Sequence, residues 1–495
     1  MRPATLPRAR TRPTRSTRST RSTRSTRITG LALTAVLGAT LLAAAEGPAT
    51  AGTTSAPVAA VAATTSAPAA GNRREDPPNR VTPGNFTGYG FDQCLAPTQA
   101  AMDTWLDHSP FLAVGIYISG DSRACRDQPN LTPAWVRTQL AKGWKLLPIS
   151  LGPQASCQPR FPRYRDDFKI SPFRGKGRYP RAREMGRDSA KSTVVDAQAL
   201  GIVPGSTLWY DLEGFDLGNT DCRESALSFL STWTTTVRGL GYVAGVYSSA
   251  GSGIKALDDA RVQRPNAYVL PDRVWIARWD GVANDSTSYI RDDGWRPGGR
   301  VKQYRGGHDE VWGGVRINID SNYLDVGHGS VAPMERHCGG VQITFRNYET
   351  IERSHEGYTD RPRKVRALQC LLTEQGFYTG KLSGRYETPT VRAVRAWKAK
   401  RGFFVDGRFF RRDWTALLSS GNKPVQKIGS SGVFTRRVQR AINASDIGVK
   451  ATADGVYRGV TADTVRAYQR RVGLNPTGIV TAATWTKLQA GARER

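Results

Sequence analysis

The chain has 495 residues, with 71 Lys or Arg against 42 Asp or Glu, a formal net charge of +29. That length leaves room for several domains with cores of their own, and the charge favours polyanionic partners. The six cysteines form no Cys-x-x-Cys pair, which speaks against zinc or thioredoxin chemistry.

In chain order, residues 1–27 are an Arg/Ser/Thr/Pro tract, followed by an apolar stretch from Ile28 to Ala45 and small residues through Ala49-Thr-Ala51. A charged start, an apolar middle and a small-x-small end predict an export signal over 1–51, with a membrane anchor as the alternative. No paired arginines precede the apolar stretch, which disfavours a twin-arginine route. Residues 52–85 are rich in Ala, Pro and Thr and read as a linker. In an exported chain the even cysteine count implies disulfides. Of 15 possible pairings, the expected set is Cys94–Cys125, Cys157–Cys222 and Cys338–Cys370.

From Gly88 short apolar runs recur: Tyr89–Leu95, Phe111–Ser119, Trp144–Leu151, Thr207–Phe215, Tyr242–Ser248, Arg273–Asp280, Val301–Tyr304 and Ile317–Val326. Helical stretches separate most of them. One begins at Thr98 after Pro97, one at Thr132-Pro133, and the clearest are Glu184–Leu200 and Arg223–Leu240, the last stopped by Gly239-Leu-Gly241. The connections 281–300 and 305–316 carry weaker helical patterns. Eight strands alternating with helices predict an α/β chain with a (β/α)8 barrel of TIM type over 86–327. A doubly wound sheet is the alternative, but it wants a Gly-rich phosphate loop where Asp92-Gln-Cys-Leu-Ala-Pro97 stands.

The polar residues at the strand ends are Asp92, Asp211 and Glu213, Asp280, Gln303 and Asp320. Asp211 and Glu213 are two apart on one predicted strand, so both face one side. Paired carboxylates are what acid/base cleavage of a glycosidic bond needs. Tyr117, Trp209, Tyr247, Trp275, Trp279, Tyr304 and Tyr323 lie beside them, and acidic groups among aromatic faces suit a sugar. The sequence has no His-Glu-x-x-His, Gly-x-Ser-x-Gly or phosphate-loop motif, and the five histidines are scattered, so no metal and no cofactor is expected. The stretch Arg160–Arg183 holds nine Lys or Arg among five aromatics. It reads as a grip for an anionic wall polymer, a lid over the cleft or a solvated insertion; export disfavours nucleic acid.

After a connector over 328–360, a repeat appears. Val394-Arg-Ala-Trp-Lys398 matches Val465-Arg-Ala-Tyr-Gln469, and Asp413-Trp-Thr-Ala-Leu417 matches Thr484-Trp-Thr-Lys-Leu488. Two small all-α domains follow, over 361–421 and 422–490.

Gly90-Phe-Asp92, Asp211-Leu-Glu213, Trp275-Ile-Ala-Arg-Trp279, Gln303-Tyr304 and Asp320-Ser-Asn322 together resemble the Rv2525c-like glycoside-hydrolase-like barrel of exported actinobacterial proteins, itself similar to the family 25 muramidases. The resemblance implies that Glu213 is the proton donor and that Asp211 stabilises charge or positions the substrate. It also implies that Asp92 and Asp320 line the same site; Gln303, Tyr117, Trp209, Tyr247, Trp279, Asp280 and Tyr304, from their places at or beside the strand ends, are the expected substrate contacts. Val365-Arg-Ala-Leu-Gln-Cys-Leu-Leu372, Arg437-Val-Gln439, Asp406-Gly407, Asp454-Gly455 and Tyr468-Gln469 resemble tandem peptidoglycan-binding modules. Such modules usually carry Phe-Gln on the last helix, where the first unit has Trp397-Lys398. The expected protein is a secreted, wall-associated hydrolase acting on peptidoglycan or another wall glycan. A non-catalytic glycan-binding protein and a hydrolase of another polysaccharide are the alternatives.

Overall fold

Each of the eight apolar runs forms a strand, and the strands close into a barrel in the order β1 to β8. The computed structural model describes residues 78–158, 168–176 and 178–493. The expected export signal, most of the linker, residue 159, and residues 160–167 and 177 of the basic stretch lie outside the described residues. Strands β1 (Phe86–Asp92), β2 (Ala113–Ser119), β3 (Lys145–Ser150), β4 (Thr207–Asp211), β5 (Val243–Ser249) and β6 (Arg273–Ala277) run parallel. Between them lie α1 (Gln99–His108), α2 (Pro133–Lys142), α3 (Pro180–Ala199), α4 (Thr220–Gly239) and α5 (Lys255–Gln263). The Thr98 hydroxyl accepts from Ala101 N–H and the Thr132 hydroxyl from Trp135 N–H, so both threonines cap their helices.

The last two strands depart from a regular (β/α)8 pattern. β7 (Gly299–Trp312) and β8 (Val315–Val326) form a long hairpin, and β8 runs antiparallel to both β7 and β1. The turn is Gly313-Gly314, with φ of +58° and +84°. Two positive-φ residues suit a tight hairpin, and a two-residue loop cannot return a strand in parallel. Hence, among the described residues, no crossover helix separates β7 from β8, and α1 meets the outer side of the hairpin, Trp105 Nε1 donating to Val315 O at 3.1 Å.

The barrel interior is filled by side chains such as Trp209 and Trp275, both essentially unexposed and packed edge to face at 5.5 Å. Such a pair adds roughly 0.5–1.5 kcal/mol beyond simple burial. All three expected disulfides are formed, with Cα separations of 5.7, 5.9 and 5.9 Å, comfortable for the bond. Cys94, beside the barrel mouth, is therefore disulfide-bonded. Among the described residues no helix is long and apolar enough to cross a membrane.

The C-terminal part has two three-helix units: α6 (Pro362–Glu374), α7 (Thr388–Lys400) and α8 (Arg411–Leu418), then α9 (Val433–Ser445), α10 (Gly459–Arg471) and α11 (Ala482–Gln489). One device recurs. The Gln369 side chain accepts from Gly384 N–H at 2.9 Å and donates to Arg385 O at 3.1 Å. Gln439 holds Gly455 N–H at 2.9 Å and Val456 O at 3.1 Å, and Gln469 holds Gly478 N–H at 2.9 Å and Ile479 O at 2.8 Å. Each amide ties a loop to a helix. Lys398 takes the fourth position, 2.5 Å from Asp406 and 3.0 Å from Asp413. The Gln of Tyr468-Gln469 is thus a buried clamp in the second unit, and Lys398 takes its place in the first.

The connector is not a loose tether. Cys338–Cys370 pins it, Ile343, Tyr348 and Ile351 are buried in the helical core, and Ile351 pairs with Phe409. Glu335 accepts from Arg440 at 2.7 Å and lies 3.3 Å from Arg436. Burial pushes Glu335 up, but His337 and Arg440 outweigh it and bring the carboxyl down to about 2. The second helical unit docks on the barrel base through Lys427. Its buried Nζ donates to Ser109 O and Phe111 O at 2.9 Å and to Trp105 O at 3.3 Å, capping the end of α1. Gly429, at φ +95°, presses so close that a Cβ there would sit 2.5 Å from the Phe86 ring.

Candidate active site

The mouth opposite that base gathers the carboxylates. β4 ends at Asp211, so Glu213 lies two residues beyond the strand rather than on it. A side chain from the β3–α3 loop takes over from the ladder there. Gln154, fully buried, donates to Asp211 O at 3.0 Å and accepts from Glu213 N–H at 2.9 Å. It fixes the Asp-Leu-Glu segment as a partner strand would. Gln154 itself bridges to Lys169 in the basic stretch, with Ile170 N–H donating to Gln154 O at 2.8 Å. Nothing in the sequence marked this glutamine; only its place after strand 3 pointed toward the mouth.

Asp320 reaches the mouth by a different route from the one expected. It sits mid-strand in β8, and because β8 is reversed, its middle passes directly opposite Asp92 at the end of β1. Gln303 stands over the pair. Its Nε2 donates to Asp92 at 3.2 and 3.3 Å and to Asp320 at 3.2 Å, and its Oε1 accepts from Tyr247 Oη at 3.0 Å and Trp279 Nε1 at 2.8 Å. Asn322, also outside the expected site residues, donates to Asp92 at 2.5 Å and accepts from Trp275 Nε1 at 2.7 Å.

The electrostatics follow from burial and crowding. Burial pushes the Asp92 carboxyl well above the usual range, and the charge of Asp320 adds to it, against the amide donors Asn322 and Gln303. Burial also raises Asp320, against the Gly307 N–H and His308. The Tyr247 phenol is raised by burial and by the charges of Glu213, Asp211, Asp92 and Asp320 together, so one hydroxyl senses all four carboxylates. The Tyr117 hydroxyl donates to Asp211 at 3.4 Å.

A cleft of about 380 Å³ opens here, walled by Glu213, Asp320, Gln303, Tyr117, Tyr247 and Trp279, with Tyr289 beside them. Arg278 lies over the Tyr289 ring at 5.2 Å. A second hollow of about 570 Å³ continues past Asp92 and Asp320 toward Cys94, Asn130 and the hairpin. Asp92 and Asp211 are nearly unexposed and lie under the cleft floor.

Three expected contacts fall elsewhere. Trp209 is buried in the barrel interior against Trp275, because it lies one inward position deeper than Asp211. Asp280 lies past the end of β6 and binds the buried Lys302 at 2.9 Å. Burial alone would raise Asp280, but the Lys302 bond holds it below the usual range. Tyr304 follows the inward Gln303 and so faces the outer side of the barrel, bonded to Ser321.

Residues 103–324 match the family described as the Rv2525c-like, glycoside hydrolase-like domain, and residues 361–409 and 431–488 match the putative peptidoglycan binding domain. The chain is 32% identical over 153 residues to N-acetylmuramoyl-L-alanine amidase CwlL of Bacillus licheniformis, covering 26% of this chain and 42% of that relative. The chain thus spans less than half the length of the curated relative it matches. Among solved structures it is similar to the Mycobacterium tuberculosis Tat-secreted protein Rv2525c in complex with L-tartrate, at 13% identity and TM-score 0.32, covering 48% of this chain and 95% of that one. An uncharacterized B. stearothermophilus protein aligns at 18% identity and TM-score 0.29, covering 48% and 95%. The modular autolysin LytC from Streptococcus pneumoniae aligns at 12% identity and TM-score 0.30, covering 48% and 46%. Most of the barrel thus matches the Rv2525c-like, glycoside hydrolase-like domain, and each of the two helical units after it matches the putative peptidoglycan binding domain.

Proposed function

We propose that the protein is an exported, wall-directed glycoside hydrolase of muramidase type. The observation that carries this reading is the convergence of four carboxylates at one aromatic-walled barrel mouth. Glu213, on the cleft surface, is the proton donor to the glycosidic oxygen. Asp211, buried beneath it, stabilises the positive charge that develops on the sugar ring or orients the substituent next to the scissile bond. Asp92 and Asp320, under the amide of Gln303, complete the sugar-binding floor, and Trp279, Tyr117 and Tyr247 supply faces for sugar C–H groups. The two C-terminal domains hold the enzyme on peptidoglycan. Three disulfides among the described residues fit export to an oxidising compartment.

The test is digestion of purified peptidoglycan with mass analysis of new reducing ends. Glu213→Gln is nearly isosteric and should lower the rate by about 10²–10⁴-fold with the fold intact. An unchanged rate in that variant removes Glu213 from its role. Tight wall binding by the wild type without new reducing ends leaves a glycan-binding protein instead.

A further inference from the structure

The hairpin that closes the barrel supplies no crossover helix to the base end of the β1–β8 pair. There the antiparallel register places Tyr89 opposite Tyr323 and Thr87 opposite Asp325. The two tyrosine rings meet edge to face at 5.7 Å, and Thr87 Oγ1 donates to Asp325 at 2.8 Å. The second helical unit, held at the base by Lys427, stands across from these residues. Between them lies a cavity of about 620 Å³, whose far wall is the loop Val456–Gly459. That volume lies within the range of small-molecule sites, roughly 300–1,000 Å³.

The equivalent loop of the first unit, residues 384–388, also borders a cavity. Gly384 and Gly455 occupy equivalent places, each donating its N–H to the clamp glutamine of its unit. The residues that follow Gly384 line a hollow of about 450 Å³ together with Arg353 and Tyr358 of the connector. A cavity at equivalent loops of two repeats is a property of the unit, and in the second unit the barrel supplies the opposite wall. The loop lies within a segment matching the putative peptidoglycan binding domain, which sets the ligand class. The rim adds charge to match. Arg458, which pairs with Asp454 at 2.5 Å through one nitrogen and has a side chain 63% exposed, borders the cavity.

We propose that this cavity is a second saccharide site, composed jointly by the barrel flank and the second helical unit and separate from the mouth. Its occupant is an acidic N-acetylated amino sugar unit of a wall glycan. One sugar face packs on Tyr323 and Tyr89, a hydroxyl meets Asp325, and the carboxylate of the unit meets Arg458. The site rests on the wall-glycan reading of the protein but not on turnover at Glu213. A strand held here is gripped on the barrel's flank while another segment enters the mouth.

The test is hydroxyl-radical footprinting of the full chain carrying Glu213→Gln, titrated with the disaccharide N-acetylglucosaminyl-N-acetylmuramic acid. Trp279, 56% exposed, reports the mouth and Tyr323 reports the flank. The expected result is saturable protection of both. Arg458→Ala, a change at an exposed side chain, should raise the half-protecting concentration at Tyr323 about tenfold, the loss of one charged contact, and leave Trp279 unchanged. Protection of Trp279 without Tyr323 overturns the flank site and leaves the proposed function standing. Protection of Tyr323 that Arg458→Ala does not shift overturns the site as composed. Protection of neither residue overturns both readings.

Discussion

At the barrel mouth Asp92 and Asp320 lie side by side beneath a single amide, and burial drives both up the pH scale. At the base Lys427 is as deeply buried, yet three backbone carbonyls surround its ammonium and the Trp144 ring lies 5.4 Å away. Like charges without counterions are costly and are kept where chemistry uses them. The base meets its charge with directed acceptors and so converts a buried cation into a dock between domains. Burial lowers Lys427 to about 7, with Asp107 opposing, so both ends favour neutral forms but bend stability with pH in opposite directions.

The largest effect that breaks this comparison is at the base. Lys427→Ala should cost about 3 kcal/mol of unfolding free energy, since three carbonyls lose their donor and a void remains. Equilibrium denaturation of the full chain measures it, and a loss near zero would mean that the dock does not depend on this side chain. Lys427→Met adds the pH arm. The unfolded chain binds a proton that the folded chain releases between about 7 and 10.5, so wild-type stability rises across that window. The Met variant should lack that rise.

At the mouth the sign reverses. Asp92 holds its proton more tightly folded than unfolded, so its contribution is fully present below the usual value of 3.8 and is lost as pH rises through the raised folded value. Asp92→Asn should therefore stabilise the protein at pH 7 by on the order of 1 kcal/mol for each unit of that rise, while impairing hydrolysis. Equal stability of the two proteins from pH 3 to 8 would show that the mouth carries no such strain.

The residues themselves announced the eight strands, because apolar runs between helix caps leave few alternatives, and both capping threonines took their expected places. The reversal of β8 was hidden. Its apolar pattern is the same in either direction, and only the two-residue Gly313-Gly314 turn betrays it. The residues of the mouth were partly legible. Asp92, Gln303 and Asp320 converge, but strand ends misplaced by a few residues put Asp280 with Lys302, and alternation turned Tyr304 outward. Gln154 carries no motif, and Asn322 was legible only as the end of Asp320-Ser-Asn322; their roles come from what the fold sets beside them.

The smallest expected effect tests whether a buried charge well supplied with partners differs from none at all. Lys398 and Asp413 are about 1% exposed each and lie 3.0 Å apart, where the second unit has Gln469 bonded to Thr484 at 3.2 Å. Burial raises Asp413 even with the Lys398 bond opposing, so the pair recovers only part of its desolvation. Lys398→Gln alone strips Asp413 of its cation and should destabilise by about 2 kcal/mol or more. The double change Lys398→Gln, Asp413→Thr installs the second unit's amide–hydroxyl pair, leaves Asp406 to solvent at 23% side-chain exposure, and should return stability to within about 1 kcal/mol of wild type, because exchanging a buried ion pair for neutral hydrogen-bonded groups is often nearly neutral. Denaturant midpoints of the three proteins decide it. If the double variant is no better than the single, the two units have diverged in more than this clamp, and the comparison between a charged and an uncharged solution fails at this position.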